Sequence, residues 1–169
     1  MVKEKKYRQN GAIGALLDEY EKTISELIVT IQKLSQDEIV SIVDHDTNDE
    51  DCKSIQSILT HVVQSGYTYV VEIRKWLGKE IDYRDKETFK TAREYDSALV
   101  KMFNFTEALF NEYPNLRLTE FDLNHKIKVR WGQTFDIEQL MEHAIVHVLR
   151  HRRQIEIFKI NQQLTKLKT

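Results

Sequence analysis

The sequence predicts an all-α protein, a four-helix bundle with two long connections, with residues 1–169 forming one domain. Chain breakers are scarce: there are five glycines and one proline, whereas a β-sandwich or barrel marks a turn every ten residues or so with Gly, Pro or Asn-Gly. Four long segments repeat apolar residues at helical steps, and the stretches between them do not. The length suits a single domain. A hydrophobic fraction of 41% can fill one core in a chain that buries roughly 68–70% of its unfolded surface.

The first helix is expected over residues 11–34, where Ile13, Leu17, Tyr20, Ile24, Leu27, Ile28, Ile31 and Leu34 form one apolar stripe. The second is expected over residues 54–77, with Ile55, Ile58, Leu59, Val62, Tyr69, Val70, Ile73 and Leu77 inward, Ser54 as N-cap and Gly78 as the glycine just past the end. The third spans residues 86–113, with Ala92, Tyr95, Leu99, Met102, Phe103, Leu109 and Phe110 inward, and stops before Pro114, because a residue preceding proline is driven out of the helical region. The fourth begins at Asp136, which can form a capping box with Gln139 while Phe135 and Leu140 act as a hydrophobic staple. It runs to about Leu164, with Lys159, Lys166 and Lys168 suiting the negative end of the helix dipole.

The expected connections are unequal. Gly78–Asp85 is short, whereas Ser35–Lys53 and Pro114–Phe135 are about 20 residues each, a length that usually carries function or extra structure. Within the latter, Lys126–Trp131 alternates polar and apolar residues, as a short strand or an extended cover would.

Charged residues make up 31% of the chain but leave a net charge of only −2. That gives no global attraction to nucleic acid or acidic lipid. No 18-residue apolar run and no apolar segment behind the charged N-terminus is present, so neither a membrane span nor a signal peptide is expected and the protein reads as cytoplasmic. The single cysteine, Cys52, lies among acidic residues that disfavour its thiolate, and reads as an inert thiol.

The histidines are the chemically suggestive residues. His143, His147 and His151 follow one another at steps of four on the last helix. Each step turns the next residue about 40° and lifts it about 6 Å. Adjacent members can therefore share one metal ion, whereas the outer two, about 12 Å apart, cannot. His61 lies beside the apolar face of the second helix, and His45 and His125 fall in connections and read as surface residues. Inward imidazoles without a partner leave buried polar groups unsatisfied, which a shared ion would resolve. Neutral imidazoles with open positions suit zinc, nickel or iron(II) rather than calcium or magnesium. No Glu-x-x-His, His-Glu-x-x-His, cysteine pair or glycine-rich phosphate loop is present, which argues against di-iron, zincin, zinc-finger and nucleotide-binding classes.

The run Ile58-Leu59-Thr60-His61-Val62-Val63, with His147-Val148-Leu149-Arg150-His151-Arg152-Arg153-Gln154-Ile155 far downstream, resembles the DinB-like superfamily of four-helix-bundle metalloproteins. Arg153 stands where that family often has glycine. The resemblance covers residues 11–160 in helix count and motif order. It implies a divalent metal, zinc or nickel and otherwise iron or manganese, at His61, His147 and His151. Depth along helices that start at one level would instead pair His61 with His143 and His147. On the motif assignment His143 supports a ligand from outside the metal's own ligands, lies at the mouth or is simply a surface residue, and Gln154 can support a ligand. The resemblance also implies a thiol-dependent transferase, or a hydrolase, acting on a small electrophile. The partners it suggests are a small-molecule substrate such as a low-molecular-weight thiol, and a second copy in a homodimer. A non-catalytic metal-binding bundle working through dimerisation or a partner is the alternative, and a metal-free helical module whose histidines are core residues is a third reading. Arg150, Arg152 and Arg153 either attract an acidic substrate group or form a solvated face, and Tyr67 and Tyr69 read as core.

Overall fold

The computed structural model describes residues 7–166, and side chains to residue 163. These residues form α1 (Gly11–Ile31), a short α2 (Gln36–Val40), α3 (Ile55–Trp76), α4 (Ala92–Glu112), a two-residue hairpin of β1 (Ile127–Lys128) and β2 (Thr134–Phe135), and α5 (Ile137–Lys166). The protein is thus mostly helical, as its scarcity of breakers requires. Among the described residues, no helix is long and apolar enough to cross a membrane.

The long helices enclose one core. α1 and α3 each pack against both α4 and α5. The stripes read from the sequence supply the interior: Leu17, Tyr20, Ile24, Leu27 and Ile31 from α1, Ile58, Leu59, Val70 and Ile73 from α3, Leu99, Met102 and Leu109 from α4, and Leu140, Ala144, Val148 and Ile155 from α5 are all buried. Gly66 permits a close helix contact, since a Cβ there would lie 2.0 Å from Met102 Sδ.

Cross-contacts set the helix directions. Arg152 pairs with Glu26, and Lys159 Nζ donates to the Thr30 carbonyl at 2.6 Å, so α1 and α5 run the same way. Thr60 bonds Tyr95 at 2.6 Å and Arg74 pairs with Glu112 at 2.6 Å, so α3 and α4 also run together. Tyr69 meets His143 while His61, further back on α3, meets His147, so α3 and α5 are antiparallel.

The parallel α3–α4 pair explains the main departure from the sequence reading. The third helix was expected from Lys86 after a short connection, yet α4 begins at Ala92. To run alongside α3 in the same direction, the chain must first return along its length. Residues 77–91 do this: Tyr83 bonds Glu72, Arg84 lies by Gln64, Lys86 reaches Asp51, and the Phe89 carbonyl accepts from Gln56 at the start of α3. Thr91 then starts α4 with a capping box to Glu94, a signal weaker to the eye than the helical spacing ahead of it.

The other boundaries follow local chemistry. α3 starts at Ser54, which caps Ser57 N at 3.0 Å. It ends in a pair of bonds, Gly78 N to Lys75 O and Lys79 N to Arg74 O, both 2.9 Å, with Gly78 at φ +79° as this left-handed cap requires. Asp136 and Gln139 form the expected capping box of α5 at 2.8 and 3.1 Å. Lys168, expected near the end of that helix, lies outside the described residues. α1 stops at Ile31, three residues short of the expected Leu34, because the chain turns to a new start at α2, where Ser35 and Glu38 form another capping box. The Lys126–Trp131 alternation resolves into β1, which pairs with β2 and turns Ile127 and Val129 into the core.

Candidate metal centre

His61 sits in the second turn of α3, and His147 and His151 lie one turn apart on α5. Because the two helices are antiparallel, depth measured from their starts is the wrong comparison, and the ring that His61 meets alongside His147 belongs to His151, not His143. His61 Nε2 lies 2.9 Å from His147 Nε2, and His151 Nε2 lies 3.2 Å from it. The three residues each offer a nitrogen within 4.8 Å of the others, close enough to hold a metal ion.

Two flanking contacts decide how these rings are protonated. His61 Nδ1 faces Asp51 Oδ2 at 3.0 Å and His151 Nδ1 faces Gln154 Oε1 at 3.2 Å. Both partners are acceptors, so each ring donates from Nδ1 and its Nε2 carries a bare lone pair when the imidazole is neutral. His147 Nε2 faces both of these lone pairs. One N–H on His147 can satisfy only one of them, so at least one lone pair is left without a donor whatever its tautomer. A cation removes that conflict. Two nitrogens held at about 2.0–2.1 Å from one ion are about 2.8–3.4 Å apart in octahedral or tetrahedral geometry, a range that includes both observed separations. The residues present therefore fit a borderline divalent ion.

The electrostatics favour the neutral ligand form. Burial, then repulsion from His151, His61, His143 and Arg150, pushes His147 down to about 2. Burial, then His61, likewise lowers His151, against an opposing bond to Gln154. Partial burial works against the Asp51 carboxylate, but Lys86 and His61 outweigh it and hold the group below its usual range.

The triad opens into a cavity of about 570 Å³ whose other walls are Asp49, Cys52, Arg150, Arg153, Gln154 and Ile157. The three arginines flanking His151 are thereby divided. Arg152 turns to Glu26 on α1 and approaches Glu156, whereas Arg150 and Arg153 stand at the cavity rim. His143 lies outside the triad. It stacks on Trp131 at 6.3 Å and on His147 at 6.1 Å, and meets Tyr69 edge-on at 5.6 Å, so it belongs to an aromatic wall behind the centre. His45 and His125 are exposed, and Tyr67 and Tyr69 are buried, as expected.

Sequence reasoning missed the contribution of the first connection. Asp49, Asp51 and Cys52 reach the centre on a 3₁₀ turn, Glu50–Cys52, immediately before α3. Val43 N bonds the Lys53 carbonyl at 2.9 Å and Ile42 bridges Ser54, which folds this segment back beside His61. The available signal was positional: an acidic turn that ends at a helix cap lies within reach of side chains in that helix's first two turns. Cys52 Sγ points to Asp49 at 3.4 Å and to Gln154 at 3.9 Å. Its thiol is raised, first by burial and then by Asp49 and Asp51, with Gln154 opposing.

No model of a known protein family matches this chain, and no match to it is found among curated proteins.

Proposed function

We propose that the protein is a divalent-metal-dependent enzyme of the DinB-like four-helix-bundle type. His61, His147 and His151 hold the ion, zinc or nickel in preference to iron or manganese, and a low-molecular-weight thiol or water reacts with a small electrophile in the adjoining cavity. The observation that carries this reading is the convergence of three Nε2 atoms, two of them fixed by acceptors on Nδ1, at the wall of an open cavity. A structural staple has no use for that opening, since structural sites are closed by protein ligands and catalytic ones keep a position free.

When bound, such an ion lowers the pKa of a coordinated water towards about 7 or stabilises a coordinated thiolate. The chain's own residues then divide the remaining work. Gln154 orients the ring of His151. Arg150 and Arg153 give the rim a positive edge that suits an acidic group on the substrate, and Ile157 offers an apolar contact. Trp131, Tyr69 and Phe135 keep water from the back of His147 by packing around His143.

A non-catalytic ion that ties α3 to α5 has one observation in its favour, the supply of ligands by both helices. Metal analysis after purification without chelators tests the shared premise, with about one ion per chain expected. An ion-free protein that gains none on addition of zinc or nickel overturns both readings. His61→Ala and His147→Ala then separate them. A catalytic ion leaves these variants folded and unable to conjugate a thiol to an electrophile panel, whereas a staple leaves them unfolded because its binding energy is folding energy.

A further inference from the structure

We infer that Asp51 is a positioning residue of the metal centre, its carboxylate anchored by Lys86 so that His61 presents Nε2 to the ion. The inference rests on the metal reading above and adds to it a residue outside the three ligands. Both carboxylate oxygens are committed: Oδ2 accepts from His61 Nδ1 at 3.0 Å, and Oδ1 is paired with Lys86. The backbone is fixed as well, since Asp49 Oδ1 accepts from Asp51 N at 3.0 Å and the flanking loop is closed by the Val43–Lys53 bond. Asp51 is therefore held from three sides, and the one contact left for its second oxygen is the imidazole.

The anchor comes from an unrelated part of the chain. Lys86 is carried past Asp51 by residues 77–91, which return along α3 before α4 begins. Two connections, otherwise independent, thus meet at one carboxylate beside one ligand. As a surface ion pair, Asp51–Lys86 contributes little to folding, because both groups are partly exposed. Its consequence is local. A carboxylate on the far nitrogen fixes the tautomer and orientation of a metal-bound imidazole and raises its basicity. The three rings are treated unequally in this respect: His61 has a charged acceptor from a loop, and His151 has a neutral amide from its own helix.

The test is a zinc titration of the full chain against a chelating indicator for wild type, Asp51→Asn and Asp51→Glu, with thermal melting of each apo protein. Asp51→Asn is expected to weaken zinc binding about 10- to 100-fold while melting like wild type without metal. Asp51→Glu, which keeps the charge, binds more tightly than Asp51→Asn. A purely structural role for Asp51 would lower the apo melting temperature and leave zinc affinity alone. Failure of wild type to take up zinc overturns the metal reading itself. Wild-type binding with equal affinity in folded Asp51→Asn, or tighter binding by Asp51→Asn than by Asp51→Glu, overturns the positioning role alone. Should Asp51→Asn not fold, imidazole ¹⁵N shifts of zinc-loaded wild type decide: a proton on His61 Nδ1 with zinc on Nε2 sustains the inference, and zinc on Nδ1 overturns it.

Discussion

The two long connections have similar lengths in the sequence and opposite tasks in the structure. Residues 32–54 deliver polar groups: Asp49, Asp51 and Cys52 arrive beside the histidine triad, and Ile39 is the one apolar side chain fully buried, with Leu34, Val40 and Val43 packed half-buried against the core. Residues 113–136 deliver apolar cover: Ile127 and Val129 enter the core, Trp131 and Phe135 wall off His143, and Asp136 caps α5. The difference teaches that the cover of the core and the polar surroundings of the triad come mainly from separate segments, so changes in one should leave the other's property intact.

The sharpest way to break that division is to hollow out the apolar connection. Ile127 is 3% exposed and lies in β1. Ile127→Ala removes buried methylenes and leaves a cavity, at a cost of about 2–5 kcal/mol, which lowers the melting temperature by roughly 5–20 °C in a domain of this size. Zinc affinity of the molecules that remain folded is expected to be unchanged. A fall in affinity matching the fall in stability would show that the hairpin supports the centre as well as the core.

Asp136 offers a second, smaller cut in the same segment. It accepts from Gln139 N at the start of α5 and pairs with Lys126 at 3.3 Å, both side chains being nearly buried. Asp136→Ala loses the cap and leaves Lys126 with the neutral Gln139 Oε1 as its acceptor, and about 1–2 kcal/mol of destabilisation is expected. Urea unfolding reads this as a lower midpoint with an unchanged slope. The metal content should stay at that of wild type, because Asp136 lies almost three turns of α5 before His147.

What was legible in the sequence follows the same division. The stripes of α1, α3, α4 and α5 could be read because burial enforces helical spacing, and the caps at Ser54 and Asp136 could be read because orphan N–H groups demand an acceptor at a fixed offset. His61, His147 and His151 were named from a motif and do come together. Helix direction was not legible, since nothing local records that α4 runs parallel to α3. The start of α4 was therefore set too early, and depth matching pointed to His143. Asp51 and Gln154 illustrate the same limit from two sides. Gln154 is three residues from His151 on one helix, so its contact follows from spacing, whereas the Asp51–His61–Lys86 contact requires two loops to fold back and exists only in three dimensions.

That contrast between Asp51 and Gln154 gives the next prediction. Gln154 Oε1 is a neutral acceptor on the helix that already fixes His151, so less of the ring's orientation depends on it. Gln154→Ala is expected to weaken zinc binding by about tenfold, the low end of the range for outer-shell partners, and by less than Asp51→Asn. Zinc competition on both variants in one buffer checks the order. A larger loss for Gln154→Ala would mean that the neutral partner governs the centre more than the charged one.

The smallest effect is expected at Cys52, and it tests whether the polar connection supplies a reactive group as well as a carboxylate. Cys52 lines the cavity, yet the structure does not group it with the three histidines as a ligand. Burial, together with the charges of Asp49 and Asp51, raises its thiol above the ordinary value, and Gln154 offsets this only in part. The thiol is therefore largely protonated at neutral pH, where the thiolate is the attacking form. Cys52→Ser should change neither metal content nor melting temperature measurably. Iodoacetamide should alkylate the native thiol several-fold more slowly than the denatured one, at a rate still climbing at pH values where an unperturbed cysteine has levelled off. Fast alkylation at neutral pH, or loss of thiol-conjugating activity in the serine variant, would make Cys52 a participant in the chemistry. The first connection would then supply a nucleophile to the cavity as well as a hold on His61.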